Sequence, residues 1–215
     1  MISQTFGTSH GILLLAPVRG LQSEVPRVVS ALEEFVPARL GLGLSGDELR
    51  SLDDYFVLSD AEPVVPLTSN ETSEVRGLVR FGEVRVPNPS FVEVLRWARS
   101  RGLPYEALDP DDESTAALFA EHIGYLELVR RTVRERRVAR SPPTPSTADE
   151  FALSWDREIA SGRGSRGFAS ARDEHLVGRL PSLGSARSRV AVVVDRERFD
   201  SIRDLLTRGP PTTIA

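Results

Sequence analysis

The sequence predicts an α/β fold: a mainly parallel central sheet flanked by helices, with a long helix and a helical C-terminal part. Three observations carry this expectation. Residues 11–16 (GILLLA) and 189–194 (RVAVVV) are short, continuous apolar runs, the composition of strands buried on both faces of a parallel sheet. Between them, segments with apolar residues at helical spacing alternate with further short strand-like runs. A chain of 215 residues, 40% of them hydrophobic, is long enough to bury one core without covalent staples.

The first run ends at Pro17. After a loop over 17–23, Val25, Val28, Val29, Leu32 and Phe35 recur on one helical face with Glu33 and Glu34 on the other, and Pro37 stops the helix. Residues 38–44 form a second strand, and Ser45 and Asp47 offer capping oxygens to a short helix reaching Tyr55 and Phe56. This is a β-α-β unit, with parallel strands and a right-handed crossover. The proline, serine and acidic residues of 57–73 read as a surface loop, and 75–86 as a strand or hairpin around Gly77 and Gly82.

Asn88, Pro89 and Ser90 start a helix with Phe91, Val94, Leu95 and Ala98 on one face, and Gly102 ends it. Residues 104–108 form a short strand, completing a second β-α-β unit. A long helix is expected over 113–140, with Leu118, His122, Tyr125, Val129 and Val133 in register and its last third dense in arginine. Prolines in 141–145 break it, and Ser146 or Thr147 caps a helix running to Ala160. Residues 161–167 read as a flexible loop, 168–183 as a helix with Leu176, Leu180 and Leu183 in its stripe, and 195–206 as a closing helix. The organisation expected is a single domain over 1–215, with 141–147 an internal proline-rich linker and 207–215 a flexible tail.

Composition narrows the chemistry. All 27 basic side chains other than histidine are arginine, so there is no lysine Schiff base and no phosphate-loop lysine. With no cysteine, thiolate metal sites, disulfides and thiol nucleophiles are excluded, and a cytoplasmic protein is expected. A net charge of −4 argues against bulk nucleic-acid binding. No apolar run is long enough for a membrane span, and residues 1–10 lack the pattern of a signal peptide.

The order of segments resembles the TraB-like family, relatives of the Tiki and ChaN-type hydrolases. The resemblance runs from the strand and loop near Leu14 to Gly20, through the strand at Leu40 to Leu44, Phe81-Gly82 to Pro89 and Phe91 to Leu108. It continues to Ala171-Arg-Asp173 and the strand Val190-Ala-Val-Val-Val194. It implies the same α/β fold and a divalent metal held by two histidine turns and a glutamate at the strand ends. Here those stretches read Ala16-Pro-Val-Arg19-Gly20, Leu42-Gly-Leu-Ser45 and Val194-Asp-Arg-Glu-Arg198, with neither the histidines nor the glutamate. Arg172 and Asp173 are retained. The expectation is a degenerate, non-catalytic family member with no metal and no cofactor, acting through a protein partner, a second copy of itself or a small anion.

Loops after parallel strands gather at one edge of the sheet, which makes Arg19, Arg172, Asp173, Arg196, Arg198 and Asp109 the candidate anion- or partner-binding cluster. Internal salt bridges are the plainer reading of the same residues. One alternative is a metal-dependent hydrolase with a rearranged carboxylate site at Asp109, Asp173 and Asp195. Another is a nucleic-acid-binding face at Arg130, Arg131, Arg134 and Arg137, although nucleic acid is the less expected partner. The acidic run 109–113 reads first as a helix start. His10, His122 and His175 read as structural residues rather than metal ligands.

Overall fold

The computed structural model describes residues 1–6, 11–57, 67–183 and 188–208. The apolar run at the start of the chain forms β2 (Ile12–Ala16), preceded by β1 (Ile2–Phe6), and the remaining strands are β3 (Arg39–Leu42), β4 (Tyr105–Ala107) and β5 (Val190–Val193). They make a five-stranded sheet in the order β1-β2-β5-β3-β4. β2, β5, β3 and β4 are mutually parallel and β1 is antiparallel to β2, so the fold is α/β with a mostly parallel sheet.

The period of two along each strand sends alternate side chains into two cores. Leu13 and Leu15, Leu40 and Leu42, and Ala191 and Val193 pack with Val28 and Leu32 of α1 (Val25–Phe35) and with Phe91, Leu95 and Ala98 of α4 (Pro89–Ser100). On the other face Leu14, Ala16, Val190 and Val192 meet Leu176 of α8 (Arg163–Arg179), Leu180 and Leu183 of the 3₁₀ turn after it, and Phe199 and Ile202 of α9 (Phe199–Arg208). Leu14, Leu42 and Val192 are fully buried. Gly41 lets this second layer close on β3, because a Cβ there would lie 2.4 Å from Leu108 Cδ1.

A third core lies beyond the sheet. Val18 and Leu21 meet Leu78 of α3 (Ser69–Leu78), Val138 of α6 (Tyr125–Arg140), and Phe151, Trp155 and Ile159 of α7 (Ala148–Ile159). Phe151 and Trp155 stack with centroids 5.6 Å apart. α2 (Gly46–Val57) and α5 (Asp112–His122) complete the helices of the described residues. None of these helices is long and apolar enough to cross a membrane.

Several expectations are corrected. Residues 75–86 are not a strand: α3 and a 3₁₀ turn over Val79–Phe81 occupy most of the stretch, leaving one isolated bridge from Leu21 to Val84. A capping box decides this, with the Thr68 hydroxyl accepting from Glu71 N and Glu71 reaching back to Thr68 N at 2.8 Å. Gly77, read as a strand irregularity, is a contact point where a Cβ would lie 2.2 Å from Phe151 Cζ. The second β-α-β unit therefore does not start from 75–86: β4 pairs in parallel with β3, and the connection between them carries α2, α3 and α4.

The long helix is two. Ile123 is extended and buried, and Gly124 caps α6, so α5 and α6 are separate elements. Residues 161–167 are not a loop, because α8 begins at Arg163 with Gly162 as its cap. Its glycines permit a close approach: a Cβ on Gly164 would lie 2.4 Å from the His122 carbonyl oxygen. β1 is a strand that the alternation of ISQTF is too weak to announce. The closing helix extends to Arg208, so Thr207 and Arg208 are helical rather than tail. Residues 209–215 and His10 lie outside the described residues.

Candidate functional site

The four parallel strands end on one edge, and the residues after each end supply the polar groups. Arg19 follows β2, with Gly20 at φ 79 turning the chain. Gly43 follows β3, Asp109 follows β4, and a turn containing Asp195, Arg196, Glu197 and Arg198 follows β5. Continued pairing fixes their depth, since Asp109 N donates to Leu44 O and Val194 N to Leu15 O.

All six candidate residues sit along this edge, but in three separate clusters. Arg19 donates through Nε to Asp195 at 3.1 Å and through Nη2 to the same oxygen. Arg198 lies between Asp109 and Asp173, 2.8 Å from each, and Arg172 also binds Asp109. Arg196 grips Asp149 of the first turn of α7 with two bonds, 2.5 and 3.0 Å. Asp109, Asp173, Asp195 and Arg196 are buried, so each pair has an interior partner, but only Arg198 with Asp109 and Asp173 is largely buried on both sides; Arg19 and Asp149 are about half exposed. Among them only Arg19 and Asp195 line a cavity of about 530 Å³.

The carboxylates do not converge. Asp109 and Asp173 enclose the Arg198 guanidinium, while Asp195 faces Arg19. Among the described residues no group of three or more histidine, aspartate and glutamate side chains is placed to hold a metal ion. Burial alone would lower the Arg198 pKa, and Asp109 and Asp173 outweigh it, so the guanidinium is held charged more firmly than usual. Asp195 does the same for Arg19, chiefly by its charge.

The cavity is a cleft at the carboxyl ends of the strands, the usual ligand position in such sheets. Its floor carries Arg19, Asp195 and Asn88, and its walls are α2, α3 and the segment 84–88. Asn88 is a keystone: its side-chain oxygen caps α4 through Ser90 N at 3.1 Å and its nitrogen donates to Asp195 at 3.3 Å. Leu52, Tyr55, Val75, Leu78 and Phe91 make much of the lining apolar. The charged lining is Asp47, Glu48, Asp54, Glu71, Glu74, Asp112 and Asp195 against Arg19 and Arg85. Several of these carboxylates are engaged locally, Asp47 by Arg50, Glu48 by Ser45 N and Glu71 by Thr68.

Glu74 differs. Burial raises its pKa, against the pull of Arg19, so this carboxyl group gives up its proton less readily than a free glutamate does. Glu197, behind Asp195, is pushed up to about 8 by burial first and by the Asp195 charge next. Neither glutamate was singled out by sequence reasoning. The signal for Glu74 was Thr68-x-x-Glu71, which starts a helix and sets Glu71, Glu74, Val75 and Leu78 on one face.

On α6, Arg131 pairs with Glu135 at 3.0 Å and Arg134 with Glu127 at 3.1 Å, whereas Arg130 and Arg137 are exposed. The face named as the alternative nucleic-acid surface is thus half neutralised. His122 packs on the glycines of α8, and His175 lies on that helix. No family model matches the chain, and no significant match to a curated protein is found.

Proposed function

We propose that this chain is a non-catalytic binding protein on a TraB-like scaffold, and that its ligand site is the cleft at the carboxyl edge of the sheet. The ligand class is a small molecule with an apolar body and a cationic group. The observation that carries this reading is the pairing of an apolar wall with a surplus of carboxylates, in a cavity of a size that suits a small ligand. Glu74, whose side chain accepts no hydrogen bond among the described residues, is the group that would meet the cation. The arginines expected to hold an anion are already engaged by internal aspartates, which moves the preference from anion to cation.

The degenerate reading draws support from the same edge. In the resembled family the strand ends carry metal ligands, whereas here Arg198 fills the space between Asp109 and Asp173 with a fixed positive charge. A guanidinium cannot leave, exchange or activate water as a bound ion does.

Calorimetric titration with a matched pair of aromatic compounds, one bearing an amine and one a carboxylate, tests the proposal. The amine is expected to bind, with affinity rising as pH increases through the Glu74 pKa and falling about tenfold in Glu74→Gln. Preferential binding of the carboxylate, lost in Arg19→Gln, would restore the anion reading instead.

A further inference from the structure

The exposed side of α6 has a composition that solvent does not explain. Tyr125, Leu126, Val129 and Val133 are 79%, 69%, 45% and 52% exposed. Leu126, Val129 and Val133 are spaced by three and four residues and form a single row. Continued along the helix, the same row runs into Arg136, Arg137 and Arg140, which make no salt bridge among the described residues. The opposite side is the attached one, with Val138 buried and Glu127, Arg131, Arg134 and Glu135 paired with each other. One outward face is therefore apolar along its first half and cationic along its second.

We infer that this face is a docking surface for an acidic amphipathic segment of another protein, with apolar anchors over Leu126, Val129 and Val133 and carboxylates over Arg136, Arg137 and Arg140. Charge selects this occupant. A second copy paired in parallel would set three arginines against three, and paired antiparallel would lay guanidinium groups on the apolar half. Nucleic acid would use the arginines and leave the apolar half uncovered. A helix lying in a bilayer interface keeps its cations on the polar flanks, whereas here they continue the apolar row and would be immersed with it. Only a partner segregated along its own length matches both halves, in the manner of a helix docked by regularly spaced anchors.

The test is an NMR titration of the full chain with a synthetic helical peptide that carries leucines at i, i+3 and i+7 followed by glutamates. The expected result is a set of shifts confined to α6, and binding weakened about tenfold or more by Val129→Asp and, separately, by Arg136→Glu with Arg137→Glu. These positions are exposed, so an unchanged melting temperature verifies that each variant is folded. A lysine-for-glutamate peptide must fail to bind. Equal binding of that peptide, shifts elsewhere, or no binding at millimolar peptide would overturn the inference. So would occupation of this face by phosphatidylserine vesicles, by an RNA oligonucleotide, or by a second copy in sedimentation runs.

Discussion

Replacing Arg198 with methionine removes a charge and keeps most of the side-chain length. The Asp109 and Asp173 side chains it bridges are 1% and 5% exposed, so neither can turn to water. Asp109 keeps Arg172, but Asp173 is left with no guanidinium. Breaking a buried pair from one side costs about 3–5 kcal/mol. Against a total of about 5–15 kcal/mol for a typical domain this is a large share. At about 2–4 °C per kcal/mol for a chain of this size, the melting temperature falls by about 6–20 °C. Urea denaturation followed by circular dichroism measures the difference directly. Adding Asp173→Asn should recover more than half of the loss, because the stranded charge is gone. If Arg198→Met alone lies within about 0.5 kcal/mol of the parent, the guanidinium is not structural and the internal-cation reasoning is wrong.

Other consequences can be measured with the same method. Gly77→Ala drives a methyl group into the Phe151 ring and should cost about 1–3 kcal/mol, with quenching of Trp155 altered as α3 moves off α7. Val36 ends α1 at φ 48 and is 64% exposed, so Val36→Gly should stabilise by about 1 kcal/mol in urea denaturation; a loss would refute the strain. Glu197 in the fold keeps its proton up to about pH 8, while the unfolded chain releases it near 4.5. The native state therefore holds more protons between those values, and stability from this group falls as pH rises, by at most about 1.4 kcal/mol per pH unit. Its contribution is complete below pH 4.5 and gone above about 8. Glu197→Gln should flatten the stability profile in that window, and an unchanged slope would contradict the burial argument.

The parts of the fold that were legible are those whose signal is local. The apolar runs of β2 and β5, the helical rows of α1 and α4, and the Thr147 cap of α7 each announce themselves within a few residues. The parts that were not legible depend on contacts far away in sequence. β1 exists because Ile2–Phe6 finds the free edge of β2. Gly77, Gly164 and Gly167 look like breakers along the chain and are close approaches in space. Reading 57–73 as a loop and 75–86 as a strand or hairpin hid the cleft, since α3, which spans parts of both, is one of its walls. For the strand-end residues, the rule for parallel sheets gives the edge, but the pairing of Arg19 with Asp195 and of Arg198 with Asp109 depends on strand order, which no local pattern encodes.

That strand order has a consequence for how the molecule assembles. β5, the last of the described strands in chain order, lies between β2 and β3 and pairs with both through four residues each. Without β5 the described strands fall into two separate pairs, β1 with β2 and β3 with β4, each with an open edge. They cannot join directly in the native arrangement, because the gap between them is one strand wide. Hydrogen exchange during refolding should then find the β5-facing amides of β2 and β3 protected together, in one late step. The continuity of the sheet thus rests on four residues of β5, which hold both pairs of strands together.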